Sequence, residues 1–585
     1  MNAPVKQLGL IATDAMAAAD EQWEIPNQTF EEKLEVGINT IRNLFRDPSK
    51  RCLISSSFGK DSSSVLNIVL LAALAHREAG EVVPRLYVIN SDTELENPRV
   101  SNYAKREIQK LKNWAIEHDF DIQVDVVTPG LLAHNLSAII GGRLIASMPD
   151  SNMKCSIEMK VTPIQKHIKA IRQQEKGDGR ECVSLIGTRF SESDKRMRSM
   201  LHRCENSLMP VRDSNGFLML SPIASWSLND VYTMLGRVRS GALRTYSDFE
   251  ELTEVYRDSE SGACMVMAFY DGDRHGEQRG CSARHGCFTC QAVHKDRSLE
   301  NMIENEDNAY MRPLNALRNF IRETHYDPTK RNWMSRSINS DGTVSLAPNT
   351  YSPDHVLELL RICLSIDADE HEAAYQLGIE PRFMILSLQN LLAIQVQWLR
   401  YGLHEGLKVF EEVLKVQNGA RYHIPSVGHV HTKLPSYRVT SVVLGDEFIG
   451  DDYLKLASGS FRSVAGEVAG ISPIVKSSSK NGERYFYDCA TSNAFNVDFE
   501  GAADWFTYCM EEDVGRDYLN ASDALTRLLS YGFIELGSGS HSEYDRMLAR
   551  ANKIKELGLQ PYLNDPAKLA EMLGTKIKGQ ASLSL

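Results

Sequence analysis

Three stretches of this chain set charged side chains beside small polar ones in the way an oxyanion site needs. Ser57-Phe58-Gly59-Lys60-Asp61-Ser62-Ser63 follows a short apolar run and opens a helical pattern. Backbone amides at a helix N-terminus attract anions. Gly59 lets the backbone come close to a phosphate, Ser57, Ser62 and Ser63 offer hydroxyls, and Lys60 adds charge. Asp61 is the acid of the group. The glycine–lysine spacing is not that of a Walker A loop. Asn90-Ser91-Asp92-Thr93-Glu94-Leu95-Glu96-Asn97-Pro98 ends a second apolar run. Asp92 and Thr93 there suit a ligand at the carboxyl end of a strand, and equally suit a helix N-cap. Gly187 to Arg196 follows a third run. Arg189 and Arg196 can clamp a phosphate- or sulfate-like group bidentately, with Glu192 and Ser193 between them. Lys195, Arg198 and Arg203 either extend that patch or line a solvated helix face.

Thiols form a fourth group. The chain has 11 cysteines, and Cys264-x16-Cys281-x5-Cys287-x2-Cys290 bunches four of them. The rest, Cys52, Cys155, Cys182, Cys204, Cys363, Cys489 and Cys509, are scattered. Bunched thiols in a reducing compartment read as a metal site. Tetrahedral zinc and an iron–sulfur cluster both fit the spacing. Cys155 stands apart, close to Lys154 and Lys160. A thiol so placed is expected to have a lowered pKa and to act as a nucleophile, or else to be a small buried residue at a helix start.

These groups need a scaffold. Thr29 with Glu32 forms a capping box, and Phe30, Leu34, Ile38, Ile41 and Leu44 share one helical face until Asp47-Pro48. Cys52–Ile54 is a strand, Ser62–His76 a helix and Leu86–Ile89 a strand, which makes a parallel strand–helix–strand unit. A helix over 100–118, a strand over 122–126, a helix over 162–175 and a strand over 183–186 continue the alternation. The expected fold is α/β, a doubly wound parallel sheet over residues 49–235. Pro222-Ile223, Trp226-Ser227 and Asp230-Val231 lead into a helix and read as structural. The predicted organisation is an N-terminal helix and arm (1–48), the α/β domain (49–235), a cysteine-rich cluster region (236–330), a helical region (331–415) and a mixed α/β domain of unassigned role (416–585). Residues 331–351 read as a linker, 437–444 and 485–487 as strands, and 501–562 as helix.

Composition bounds the rest. A chain of 585 residues holds about four domains at about 150 residues each. Its 42% apolar and 24% charged residues are those of a globular protein. Acidic residues number 77 against 65 basic, for a net charge of −12. A chain-wide basic field for nucleic acid is excluded, so such contact must be local or supplied by partners. No apolar run approaches the roughly 20 residues of a membrane span. With no signal-peptide pattern near the start, the expectation is a cytoplasmic protein without membrane association.

The 57–63 loop resembles the pyrophosphate loop of the ATP pyrophosphatase superfamily, whose members cleave ATP between the α and β phosphates. The 90–98 and 187–196 motifs resemble those of phosphoadenylyl-sulfate reductases. The stretch from Gly262 to Ile303 resembles the cluster region of DndC-type DNA sulfur-modification proteins, and the likeness runs over about residues 50–330. Lys154-Cys155-Ser156 to Pro163 is similar to a further family element, which usually has tryptophan and threonine flanking the cysteine. The reductases carry a tail Glu-Cys-Gly-Leu-His, where this chain has Arg400-Tyr401-Gly402-Leu403-His404 inside a helical pattern, without the thiol. The resemblance implies ATP at the Gly59 loop with magnesium, and Lys60, Asp61, Cys155 and Arg189 as catalytic residues. It also implies nucleotide contacts from Ser57, Gly59, Ser62, Ser63, Asp92, Thr93, Arg189, Glu192, Ser193 and Arg196. A 4Fe-4S cluster would sit on Cys264, Cys281, Cys287 and Cys290. The implied activity is ATP-dependent sulfur transfer to the DNA backbone. A cysteine desulfurase would donate the sulfur, and other DNA-modification proteins would help engage DNA in host defence. Three alternatives stand beside it: a sulfonucleotide reductase, an RNA-thiolating enzyme, and a nucleotide-sensing defence protein without sulfur chemistry.

Overall fold

The computed structural model describes residues 28–149, 154–174, 179–213, 216–259, 285–339, 343–444, 474–479, 482–487 and 490–573. The capping box forms: Thr29 Oγ1 accepts from the Glu32 amide and the Glu32 carboxylate accepts from the Thr29 amide, starting helix Phe30–Arg46. Short apolar runs then give strands β1 (Lys50–Ser55), β2 (Leu86–Ser91), β3 (Ile122–Val127) and β4 (Glu181–Leu185). Two short strands that the sequence did not announce, β5 (Val211–Arg212) and β6 (Leu218–Leu220), complete the sheet. The order is β3-β2-β1-β4-β6-β5. All neighbours are parallel except β5 and β6, with Leu53 opposite both Tyr87 and Ser184.

Helices cover both faces. Helix Lys60–Glu78 is buried along most of its length and packs with Ile41, Trp226, Val231 and Leu235 on one face. Helix Thr162–Gln174, entered through one π turn at Ile157–Val161, brings Ile168 and Ile171 against Leu53, Tyr87 and Ile89 on the other. The winding is therefore double. Strand order reverses between β1 and β4, and open α/β sheets bind ligands at that crevice. Trp226 and Ile223 are core residues, and Ser227 with Asp230 caps helix Leu228–Arg239.

Beyond the sheet, helices Arg312–Glu323, Pro353–Leu377, Leu388–Tyr401 and Lys408–Gln417 share one apolar core with helices Phe499–Tyr508, Ala521–Ser530 and His541–Glu556. Residues 331–351 are not a linker. They form an antiparallel hairpin, β7 (Arg331–Ile338) and β8 (Thr343–Tyr351), extended by β9 (Thr440–Val443). In β8 polar residues alternate with buried Val344 and Leu346, while β7 buries polar Asn332 and Ser335 beside Trp333, Met334 and Ile338. The expected helix over 501–562 is broken by strand Ile534–Gly537. Among the described residues, no helix is long and apolar enough to cross a membrane.

Candidate functional site

The chain leaves β1 through a tight turn. Phe58 takes φ 55°, in the left-handed region, at a cost of about 1–2 kcal/mol. The turn is held by the Ser56 hydroxyl, which accepts from the Phe58 amide at 3.1 Å, and by complete burial of the Phe58 ring. It delivers Gly59 as the N-cap of helix Lys60–Glu78, and Gly59 has no side chain of its own to cap that end. Gly59 itself has φ −74°, which any residue adopts; a Cβ there would meet Tyr256 Oη at 3.4 Å and Ser57 Oγ at 3.5 Å, ordinary contacts. The glycine required by close approach is Gly187, at the end of β4. A Cβ on it would lie 2.9 Å from the Asp61 carbonyl carbon and 3.0 Å from the Ser62 nitrogen. The backbone after β4 thus touches the loop after β1.

A cavity of about 330 Å³ opens at this crevice. Its wall includes Ser57, Gly59, Lys60, Asp61, Ser62, Glu192 and Arg196, all named from sequence as site residues, together with Lys160, named there only as a neighbour of Cys155, and Thr188 and Tyr256, which were not singled out. Each cation on the wall holds a carboxylate. Lys60 Nζ lies 2.9 Å from Asp61 Oδ2, Arg196 Nε 3.2 Å from Glu192 Oε2, and Lys160 Nζ 2.8 Å from Glu96 Oε1. Burial works against the charge on Lys60 and on Lys160, but Tyr256 and Asp61 in the first case, and Glu96 in the second, outweigh it. Both ammonium groups are held above their ordinary pKa.

The remaining named residues stand behind the wall or apart from it. Arg189 is 3% exposed and donates to Asp61 Oδ1 at 2.6 Å and to Ser191 at 2.8 Å, so it braces Asp61. Ser193 caps helix Asp194–His202, accepting from the Arg196 amide. Ser63 is buried beneath the loop, facing Tyr246. Asp92 accepts from the Glu94 amide at 2.8 Å. Helix Pro98–Glu117 is capped by Asn97, not by Asp92 or Thr93. Thr93 is buried, with Oγ1 3.4 Å from Cys287 Sγ.

That contact ties the thiols to the sheet. The Cys287 backbone bridges to Glu96, and the Phe288 amide donates to the Leu95 carbonyl at 2.8 Å. The Cys290 amide donates to the Cys287 carbonyl at 2.9 Å, closing a tight turn. Burial pushes the Cys287 thiol up to about 11, with Thr93 and Lys160 pulling the other way. Cys155 was expected to have a lowered pKa; instead burial, and then nearby Cys290, raise it. Lys160, one of the two cations invoked for that thiolate, is paired with Glu96. Cys264 and Cys281 lie outside the described residues, within which no three cysteine, histidine or acidic side chains form a metal-binding group.

A second cavity, about 590 Å³, lies at the carboxyl end of β3 on the far side of helix Thr162–Gln174. Leu131, Leu132, Ala170 and Phe495 make it largely apolar, and Lys166 and His167 reach it. His167 Nε2 is 2.8 Å from Asp125 Oδ2.

Residues 51–240 match the phosphoadenosine phosphosulfate reductase domain. The matched span begins in β1, ends in the helix after β6 and contains both loops of the crevice. The match supports a likeness of this part of the chain to the phosphoadenylyl-sulfate-reductase-like branch of the ATP pyrophosphatase superfamily. Tyr256 and Cys287 lie outside it. Among solved structures, the chain is similar to Candida glabrata FMN adenylyltransferase in complex with FMN and an ATP analogue. That likeness has 13% identity, covers 38% of this chain and 62% of the other, and has a TM-score of 0.21. No curated protein matches.

Proposed function

We propose that this protein is an ATP-dependent sulfurtransferase that activates a DNA backbone phosphate by adenylylation and installs sulfur as a phosphorothioate, for host defence. One observation carries the nucleotide part of this reading. The N-terminus of helix Lys60–Glu78, whose N-cap is a glycine, borders a cavity at the sheet's reversal point, with Lys60, Lys160 and Arg196 on its wall. Helix-end amides and exchangeable cations suit a pyrophosphate group. In this mechanism an oxygen of the acceptor phosphate attacks the α-phosphorus of ATP. Pyrophosphate leaves, stabilised by the loop amides and Lys60; the outer sulfur of a persulfide then attacks the acceptor phosphorus, AMP leaves, and an external thiol reduces the remaining S–S bond to free the phosphorothioate. For Lys60 to follow the phosphates it must let go of Asp61. That carboxylate and Glu192 on the same wall are then the groups placed to hold magnesium, which would neutralise phosphate charge.

The thiols of Cys264, Cys281, Cys287 and Cys290 are the proposed ligands of an iron–sulfur cluster, and Cys155 the proposed sulfur carrier. A cysteine desulfurase is the proposed donor, and further modification proteins are proposed to bring DNA to an acidic chain. Against a reductase reading stands the 400–404 segment. It has no thiol, and only Arg400 and Tyr401 lie within a helix as its pattern implied: Gly402 ends helix Leu388–Tyr401 at φ 64°, and a Cβ there would lie 2.9 Å from the Cβ of Ala551.

The deciding experiment is mass spectrometry of nuclease-digested DNA from cells with and without the gene. Phosphorothioate dinucleotides only in the former support the reading; thiolated nucleosides in RNA instead would reassign the acceptor. Release of orthophosphate rather than pyrophosphate would overturn the loop assignment. Cys155→Ser is expected to keep the iron, about four per chain, and lose sulfur insertion. A fall in iron would make Cys155 a ligand beside Cys290.

A further inference from the structure

The first amide of helix Lys60–Glu78 is not open to the cavity. Tyr256 Oη lies 3.5 Å from the Lys60 nitrogen, in line to accept its hydrogen. The same hydroxyl would be 3.4 Å from a Cβ on Gly59, and Lys60 Nζ lies 5.3 Å from the centre of the Tyr256 ring. The tyrosine therefore covers both parts of the loop that a phosphate would use, the helix-end amide and the lysine. It is supplied by helix Glu250–Asp258, beyond the matched domain.

The ring has a second neighbour. His285 meets it edge-on, with centroids 5.0 Å apart and planes at 68°. His285 Nε2 is 3.5 Å from Ser259 Oγ. Two residues further on is Cys287, fastened to Thr93 and Glu96 as described. Tyr256 is 6% exposed, and a side chain in so close a packing cannot shift without moving what it touches.

We propose that Tyr256 is a positioning residue whose hydroxyl occupies a pyrophosphate oxygen's place on the Lys60 amide, and whose displacement by pyrophosphate is transmitted through His285 to the Cys287–Cys290 turn. This rests on the pyrophosphate reading of the loop. The exchange is favourable because a charged oxygen makes a stronger bond to an amide than a neutral phenol does. Lys60 trades ring and carboxylate for phosphate in the same step. By linkage, the state of the cysteine turn in turn sets the affinity for pyrophosphate.

The test uses the full chain as purified, with inorganic pyrophosphate as the probe. Calorimetry compares wild type with Tyr256→Phe, which keeps the ring and removes the competing hydroxyl. The variant is expected to bind about 3- to 10-fold more tightly, the range of one neutral hydrogen bond. Hydrogen exchange of the 285–290 amides is expected to change on pyrophosphate binding in wild type and to stay unchanged in Tyr256→Phe. Equal affinity with an equal exchange response in both proteins overturns the role of Tyr256 and leaves the loop assignment intact. Pyrophosphate binding to wild type with no exchange response at 285–290 overturns the link to the cysteines. Absence of pyrophosphate binding to wild type overturns the loop reading and this proposal together.

Discussion

Asp61 and Glu412 each hold more than one cation, yet the two networks serve different ends. Asp61 takes Lys60 at 2.9 Å and Arg189 at 2.6 Å, and borders the 330 Å³ cavity. Glu412 takes Arg361 through two bonds of 2.8 and 3.0 Å, Lys415 at 2.7 Å and Tyr422 at 3.3 Å. Its side chain is fully buried, while that of Asp61 is 22% exposed. Around Glu412 the cations join helices Pro353–Leu377 and Lys408–Gln417, and neither of the two cavities above is lined by them. Around Asp61 the same kind of pair stands beside a helix N-terminus, capped by glycine, that borders the cavity. The neighbouring space, more than the pairing itself, separates a fastening from a poised site.

Breaking the two carboxylates tests that distinction most directly. Glu412→Ala leaves Arg361 and Lys415 facing each other, and we expect a loss of about 3 kcal/mol of stability, read in chemical denaturation. Affinity for ATP should not change. Asp61→Ala should do the reverse: pyrophosphate release falls about 100-fold or more, while the denaturation midpoint moves little. A large stability loss in Asp61→Ala, with ATP binding intact, would make both networks fastenings.

Gly187→Ala sharpens the comparison at the backbone. Its new methyl meets the Asp61 and Ser62 backbone below 3.1 Å, and overpacking of this kind costs about 1–3 kcal/mol. We expect ATP affinity to fall about 10-fold or more by calorimetry, whereas Gly59→Ala, with ordinary contacts at 3.4 and 3.5 Å, loses less. The opposite ranking would show that the space above Gly59 is what the phosphates need.

The smallest expected effect is one of pH. Burial alone would push the Glu412 carboxyl up; Arg361 and Lys415 outweigh it and hold the group at about 2, below its ordinary 4.5. A carboxylate depressed in the folded state contributes stability that is complete above its unfolded value and is lost as pH falls through the folded one. The stability gap between wild type and Glu412→Gln should therefore narrow from pH 4.5 down to about 2, as followed by thermal melts. A gap that stays constant over that window would mean that the carboxylate's charge adds nothing to the fold.

Much of the scaffold was legible because its signals are local. Thr29 with Glu32 and Ser227 with Asp230 cap helices within three residues, and the apolar runs of β1 to β4 announce buried strands whatever surrounds them. The 57–63 turn was legible for the same reason: a strand before it and a helix after it mark a loop that opens a helix N-terminus. The hairpin at 331–351 was hidden because polar residues that read as a linker are themselves buried in it, and its apolar side packs on Ile554, Leu559, Leu563 and Leu569, distant in sequence. The division of labour within the site was likewise a tertiary matter. Arg189 braces Asp61 from 128 positions away, and Tyr256 reaches the Lys60 amide from 196. Gly187 matters through a backbone contact with another loop, and Lys160 through Glu96. Residue types and caps act over a few positions and are written in the chain itself. Which loop end meets which depends on the sheet order β3-β2-β1-β4-β6-β5, and that order is decided by the packing of whole faces.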